Sequence, residues 1–332
     1  MSILYVTRED GQLCRRGDAL YWSASPDEPL PTAQIEGVVV IGQGGVTTPA
    51  LHLLMTLDVP VHYLSGGGQY LGSLTTGLRR SGSVRRAQYA AAGDRMRMLE
   101  TGRQIITAKI ANQQGTLRHY QHRHAEDEKK LRDCCAELDE LAARARECDA
   151  VDELRGVEGR AANRYFEAFS LLIREPWSFA GRQRRPPKDC VNAMLSFGYA
   201  LLLGRVTSAA LMAGLDPCLG VVHAEYRRRP SLALDLMEAF RTSLIDRLVL
   251  RICRQNLLSP AQFRFEDDGG VFMDGEGRQR FLREFSERLK ANVRDASSGR
   301  KTSFERHIDA QAKTFAAAMK GNGTFAAFVL GR

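Results

Sequence analysis

Apolar runs long enough to cross a bilayer are missing. The longest candidate, residues 193–204, already holds Ser196 and Gly198, and a span needs about 18 apolar residues. A basic-then-apolar leader is missing too, because Arg8, Glu9 and Asp10 follow the first residues. The chain is therefore expected to stay in the cytoplasm and off membranes. Paired cysteine motifs are also lacking. The seven cysteines (Cys14, Cys134, Cys135, Cys148, Cys190, Cys218 and Cys253) are odd in number and show no C-x-x-C spacing, which fits free thiols in a reducing compartment. His122, His124, Cys134 and Cys135 make a poor metal set, since helical residues two apart point away from each other.

What is present is a chain of 332 residues, 44% hydrophobic and 26% charged, enough for about two domains without disulfide or metal staples. Charge is divided unevenly. Residues 1–75 hold three basic against seven acidic residues, net −4; the remainder holds 44 against 32, net +12. A basic second part points to a polyanionic partner, although an Arg-rich globular protein would show the same excess.

Short β-branched or aromatic runs at residues 2–7, 12–23, 35–41, 60–64 and 70–74 predict strands, with a hairpin tip at Arg16-Gly17-Asp18 and one helix at 48–57. Beyond residue 84 the period becomes 3.6, predicting helices over 84–124, 125–148, 157–174, 189–213, 230–257, 278–292 and 304–319. The expected fold is α+β: a small N-terminal β-sandwich or β-roll domain (1–78), a basic linker and helix start (79–95), and a larger all-α domain (96–332). Gly42-Gln43-Gly44-Gly45 imitates a dinucleotide fingerprint, but Thr47 stands at the third glycine position and no phosphate-loop lysine follows; a tight turn is the better reading.

Glu158 is the most informative residue. On a helix over 157–173 it lies within the apolar arc of Ala161, Ala162, Tyr165, Phe166 and Phe169. A carboxylate buried there needs a proton, an ion pair or a cation, unless it sits in an exposed first turn. On the helix opened by Pro230 and Ser231, Asp235 and Glu238 share the side opposite Leu232, Ala233, Leu236, Met237 and Phe240. That is a solvated face with a Glu238–Arg241 pair, or a carboxylate pair relieved by a divalent cation with His223 close by. One histidine with two carboxylates suits Mn²⁺ or Mg²⁺ better than structural zinc. His223-Ala224-Glu225 also mimics the zinc deaminase motif, but no P-C-x-x-C follows it.

Three stretches carry a family resemblance. Gly156-Val157-Glu158-Gly159-Arg160-Ala161-Ala162 with Tyr165-Phe166 resembles the first signature of the CRISPR adaptation integrase family. Pro186-Pro187-Lys188-Asp189 with Val191-Asn192-Ala193 and Ser196-Phe197-Gly198-Tyr199 resembles the second, with Cys190 where proline is frequent. Gly214-Leu215-Asp216-Pro217, Gly220, His223, Arg229-Pro230-Ser231-Leu232, Asp235-Leu236-Met237-Glu238 and Arg241 resemble the third. Weaker matches run through Arg86, Gln88-Tyr89, residues 108–113 and Gly269-Gly270-Val271.

The resemblance implies a metal-dependent DNA integrase that inserts short fragments into a repeat array, with Glu158, His223 and Glu238 as metal ligands, Asp235 as a secondary ligand or orienting group, and Mn²⁺ or Mg²⁺ as cofactor. It implies a homodimer built through the β domain and a small companion CRISPR-associated protein. Because His223 must be neutral to ligate, activity is expected to fall below about pH 6.5. Arg79, Arg80, Arg85, Arg86, Arg182, Arg184, Arg185, Arg227, Arg228 and Arg229 are the candidate phosphate contacts. A metal-dependent nuclease or resolvase on branched DNA, or a non-catalytic DNA-binding scaffold, would share much of this pattern.

Overall fold

A computed structural model describes every residue except 1, 8–10, 67–69, 77–81, 122–126, 184–185, 227–228 and 332. Its first part holds β1 (Ser2–Val6), β2 (Gln12–Arg16), β3 (Ala19–Trp22), β4 (Ser25–Leu30), β5 (Ile35–Ile41), β6 (Gly45–Val46), α1 (Thr48–Thr56), β7 (Val61–Leu64) and β8 (Tyr70–Leu74). These form two four-stranded sheets, ordered β1-β5-β7-β8 and β4-β3-β2-β6. Residues 37–41 of β5 are apolar without alternation because both faces of the strand are buried there. Val38 and Val40 join the small core with Leu13, Leu20 and Leu54. Val39 and Ile41, from the other face, belong to the large core of the helical part. The β region is therefore packed onto the helices through its own central strand.

The remainder comprises α2 (Gly82–Ala92), α3 (Arg95–Gln121), α4 (Glu128–Glu147), α5 (Val151–Ser170), α6 (Cys190–Met212), α7 (Ser231–Phe240), a π-helical segment Arg241–Asp246, α8 (Arg247–Gln255), β9 (Phe263–Phe265), β10 (Val271–Met273), α9 (Gly275–Lys290), β11 (Asn292–Arg294), β12 (Lys301–Ser303) and α10 (Phe304–Met319). Two expectations need correction. The helical part is not all-α, since β9–β10 and β11–β12 are antiparallel hairpins of three-residue strands. The predicted helix over 84–124 is two helices, α2 and α3, whereas residues 231–255 form one continuous helical run with a π turn inside it. Such insertions are frequent at functional sites.

Although no uninterrupted apolar run is long enough to span a bilayer, the 23-residue α6 as a whole is long and apolar enough to cross a membrane, and 78% of its most apolar window is buried inside the protein. It is the central helix of the core, apolar on every side as buried helices are. Asp189 caps it, accepting from the Asn192 amide at 2.7 Å, so Cys190 stands at the first helical position, where proline is also favoured. A side chain at Gly198 would meet Ile245 Cγ2 at 2.7 Å and Phe281 Cζ at 3.2 Å. Gly198→Ala is expected to lower stability by about 1–3 kcal/mol through overpacking. Urea unfolding checks this; an unchanged midpoint would show that the contact yields freely.

Candidate functional site

Three helices and one loop converge on a buried polar cluster. Helix α3 contributes Lys109, 5% exposed although its neighbours Ala108 and Ile110 are core residues. It is fixed against α7 by Asn112, whose Nδ2 donates to the Ala239 and Phe328 carbonyls at 2.7 and 2.9 Å, while its Oδ1 accepts from the Leu330 amide at 2.8 Å. Helix α5 begins at Val151, six residues before the predicted start, and this places Glu158 two turns inside it rather than in an exposed first turn. The Glu158 side chain is 28% exposed and accepts a hydrogen bond on Oε1 from the Lys109 ammonium.

Glu238, on α7, is 3% exposed. Its Oε1 accepts from Arg241 Nη1 at 2.7 Å, and its Oε2 is ion-paired with Lys109 Nζ at 2.6 Å. The solvated-face reading of α7 is thus corrected: the Glu238–Arg241 pair exists, but deep in the protein, and Asp235 beside it is fully buried. Burial alone would raise the Glu238 carboxyl, yet Arg241, then Lys109 and His223, outweigh it and hold the group well below the usual carboxylate range. Burial likewise opposes the Arg241 charge, and Glu238 more than restores it. The Arg241 guanidinium lies 4.1 Å from the Tyr199 ring centroid, and Tyr199 donates its hydroxyl to Asp246 at 2.5 Å. A polar chain therefore runs from Lys109 through Glu238, Arg241 and Tyr199 to Asp246.

Asp235 has a different task from Glu238. Its Oδ2 accepts the amides of Val221 and Val222 at 2.6 and 3.1 Å, and its Oδ1 accepts the His223 amide at 2.9 Å and ring Nδ1 at 2.7 Å. Four donors on one carboxylate leave no lone pair directed at an ion. Asp235 is the group that shapes the 220–223 turn and orients the imidazole through Nδ1, so that Nε2 is the ring nitrogen left for a ligand. Gly220 is required by the same turn, since a Cβ there would meet the His223 carbonyl at 2.4 Å and Ser231 Cβ at 2.7 Å. Among the described residues no three His, Cys, Asp or Glu side chains close around a common point. The ammonium of Lys109 instead joins the two carboxylates.

Of the candidate phosphate contacts, Arg85 and Arg229 are half-buried and Arg86 is exposed. Arg182 is half-buried, and its guanidinium donates to Asn192 Oδ1 at 2.8 Å and Ser196 Oγ at 3.1 Å, tying the loop after α5 to α6. Arg79, Arg80, Arg184, Arg185, Arg227 and Arg228 lie outside the described residues, as do His122 and His124. All seven cysteines are free. The Gly42 turn is tight, with φ of +62°, and a Cβ at Gly44 would meet the Val6 carbonyl oxygen at 2.4 Å.

Lys109 is the site residue that sequence reading missed. A lysine one turn after Ile105 and three residues before Asn112, on the buried face of α3, carries the same signal that drew attention to Glu158.

Comparison with known proteins places the chain. The family model described as "CRISPR associated protein Cas1" matches residues 4–287. A CRISPR-associated endonuclease Cas1 from Thermus thermophilus is 37% identical over 331 residues, covering 99% of both chains. Among solved structures, a casposase bound to an integration product aligns with a TM-score of 0.81 at 23% identity, over 99% of this chain and 93% of that one. A Cas6-RT-Cas1–Cas2 complex aligns with a TM-score of 0.82 at 24% identity, over 98% of this chain and 36% of that one. The chain belongs to the Cas1 family of CRISPR-associated endonucleases.

Proposed function

We propose that this protein joins the 3′-hydroxyl ends of short DNA fragments to a CRISPR repeat in the cytoplasm, using Mn²⁺ or Mg²⁺ held by Glu158, His223 and Glu238. The observation that carries the reading is the convergence of two carboxylates from separate helices on one cation, with a third helix supplying it. The donor set fits a hard divalent ion: two carboxylates and an imidazole held through Nδ1, with Nε2 left for a ligand. The Lys109 ammonium stands in for the ion.

A metal bound there supplies Lewis acidity, lowering the pKa of the attacking hydroxyl and offsetting charge on the attacked phosphate. In the transesterification the 3′-oxygen of the fragment forms a bond to a repeat phosphorus. The bond from that phosphorus to its own 3′-oxygen breaks, and the proton of the attacking hydroxyl ends on the leaving oxygen. Asp235 acts by orienting His223, and Arg241 by holding Glu238 in place. The fold-level likeness to a casposase with its integration product supports joining as the outcome. The relatives' description as endonucleases supports a second reading, hydrolysis at the same site with water as nucleophile. A non-catalytic scaffold does not fit an endonuclease family.

In this reading the partners are a fragment duplex and a repeat, a second copy of the chain through the acidic β domain, and a small companion protein. The Cas1–Cas2 fold match supports the companion. Phosphate contacts by Arg86 and the basic loops predict DNA affinity that falls by about 10³-fold or more between 50 and 200 mM salt for six or more contacts; a filter-binding titration showing a flat salt response would contradict them.

The deciding experiment incubates the protein, with and without its companion, with a labelled duplex bearing free 3′-hydroxyls and a repeat-bearing plasmid, in Mn²⁺ or EDTA. Metal-dependent covalent joining supports integration; metal-dependent nicking alone supports hydrolysis; binding with no reaction overturns both. Asp235→Asn is expected to weaken Mn²⁺ affinity by about 10–100-fold, as loss of a ligand-orienting partner does. Calorimetry showing unchanged affinity would assign Asp235 to the loop alone.

A further inference from the structure

We propose that Lys109 is the resident counter-ion of the Glu158–Glu238 pair, displaced by a divalent metal and drawn out by a DNA phosphate, so that metal and DNA bind more tightly together than apart. The inference rests on the metal reading above and extends it to how the site is loaded.

Charge accounting at the cluster carries it. Glu158 and Glu238 face two cations, Lys109 and Arg241, so the carboxylate charge that would attract a metal is already matched. Both Lys109 and Glu238 are buried, at 5% and 3% exposure, so water screens little of this. A divalent ion entering beside both cations would face strong repulsion, and one cation must withdraw.

Arg241 is the poorer candidate to leave. It is three residues from Glu238 in the chain and stacked 4.1 Å over Tyr199. Lys109 ends in a compact ammonium on a flexible four-carbon stem, and it contacts Oε1 of one carboxylate and Oε2 of the other, the oxygens an ion would need. Its backbone is fixed within a 27-residue helix. The displaced ammonium therefore stays beside the site, needing an anion, and the nearest anion in the reaction is a phosphodiester. By linkage, a phosphate that draws Lys109 out raises metal affinity, and metal raises DNA affinity by the same factor.

The test is Mn²⁺ calorimetry on the full chain, with and without a short duplex, for wild type, Lys109→Met and Lys109→Arg; Glu158→Gln with the same duplex gives the Mn²⁺ taken up by DNA itself. Wild type is expected to bind Mn²⁺ at least about tenfold tighter with DNA than without. Lys109→Met is expected to bind it about tenfold tighter than wild type in the absence of DNA and to gain little when DNA is added. Lys109→Arg, which keeps the charge, should retain the weak affinity and its dependence on DNA. The thermal midpoint of Lys109→Met should rise more on adding Mn²⁺ than that of wild type.

A folded Lys109→Met with wild-type affinity overturns the inference. So does wild-type affinity that DNA leaves unchanged, a result that needs no variant to fold. Wild type that binds no Mn²⁺ in either condition overturns the metal reading itself, whereas binding indifferent to both DNA and Lys109 overturns only the displacement of Lys109.

Discussion

Glu158→Gln is expected to abolish metal-dependent strand transfer, a loss on the order of 10³-fold or more, while leaving the fold nearly intact. The rate loss follows from removing one anionic ligand where several kcal/mol of charge stabilisation is supplied, each ~1.4 kcal/mol being tenfold. The intact fold follows from geometry. Glu158 is 28% exposed, its one ion-pair partner among the described residues is Lys109, and Lys109 keeps Glu238 when Glu158 is neutralised. Matched urea midpoints beside a collapsed rate would separate chemistry from folding. A rate within tenfold of wild type would remove Glu158 from the reaction.

Glu238→Ala should behave differently, losing activity and about 3–5 kcal/mol of stability together. It leaves Arg241 a buried cation with no carboxylate within its own turn of helix, and leaves Lys109 with Glu158 alone. The pH dependence has a definite sign. Because the folded-state pKa of Glu238 is lowered, the group contributes stability above the ordinary carboxylate range, and that contribution disappears as pH falls through the lowered value. Glu238→Gln should therefore flatten the acid limb of the stability profile. A variant with the wild-type acid limb would mean that the buried pair is energetically neutral.

Much of this was readable from residues alone, for physical reasons that differ by position. Glu158 declared itself because a carboxylate on an apolar helical arc is costly, and the structure places it inside α5 against Lys109. The burial of Asp235 and Glu238 was hidden. Helical periodicity puts them opposite the leucines of α7, and only the packing of α3 and the 220–223 turn over that face encloses them. Lys109 carried a periodicity signal too, but long helices often place lysines at the edge of an apolar stripe, and its depth depends on α5 and α7 arriving from elsewhere in the chain.

Local exceptions explain the remaining misses. Strand β4, Ser25-Pro26-Asp27-Glu28-Pro29-Leu30, carries two prolines and two acids, which only an edge strand tolerates, and it pairs on one side alone. The predicted helix over 84–124 breaks at Gly93 and Asp94, where Asp94 accepts the Arg97 amide at 3.1 Å and starts α3 afresh. The hairpins β9–β10 and β11–β12 are too short for a two-residue period to show.

The measurement to make is anomalous diffraction from a crystal of the full chain soaked in Mn²⁺. A manganese peak bounded by Glu158, His223 Nε2 and Glu238, with the Lys109 ammonium moved out from between the carboxylates, is the predicted result. A fully soaked crystal with no peak there, and Lys109 still bridging Glu158 and Glu238, would contradict the assignment of these residues as a metal centre.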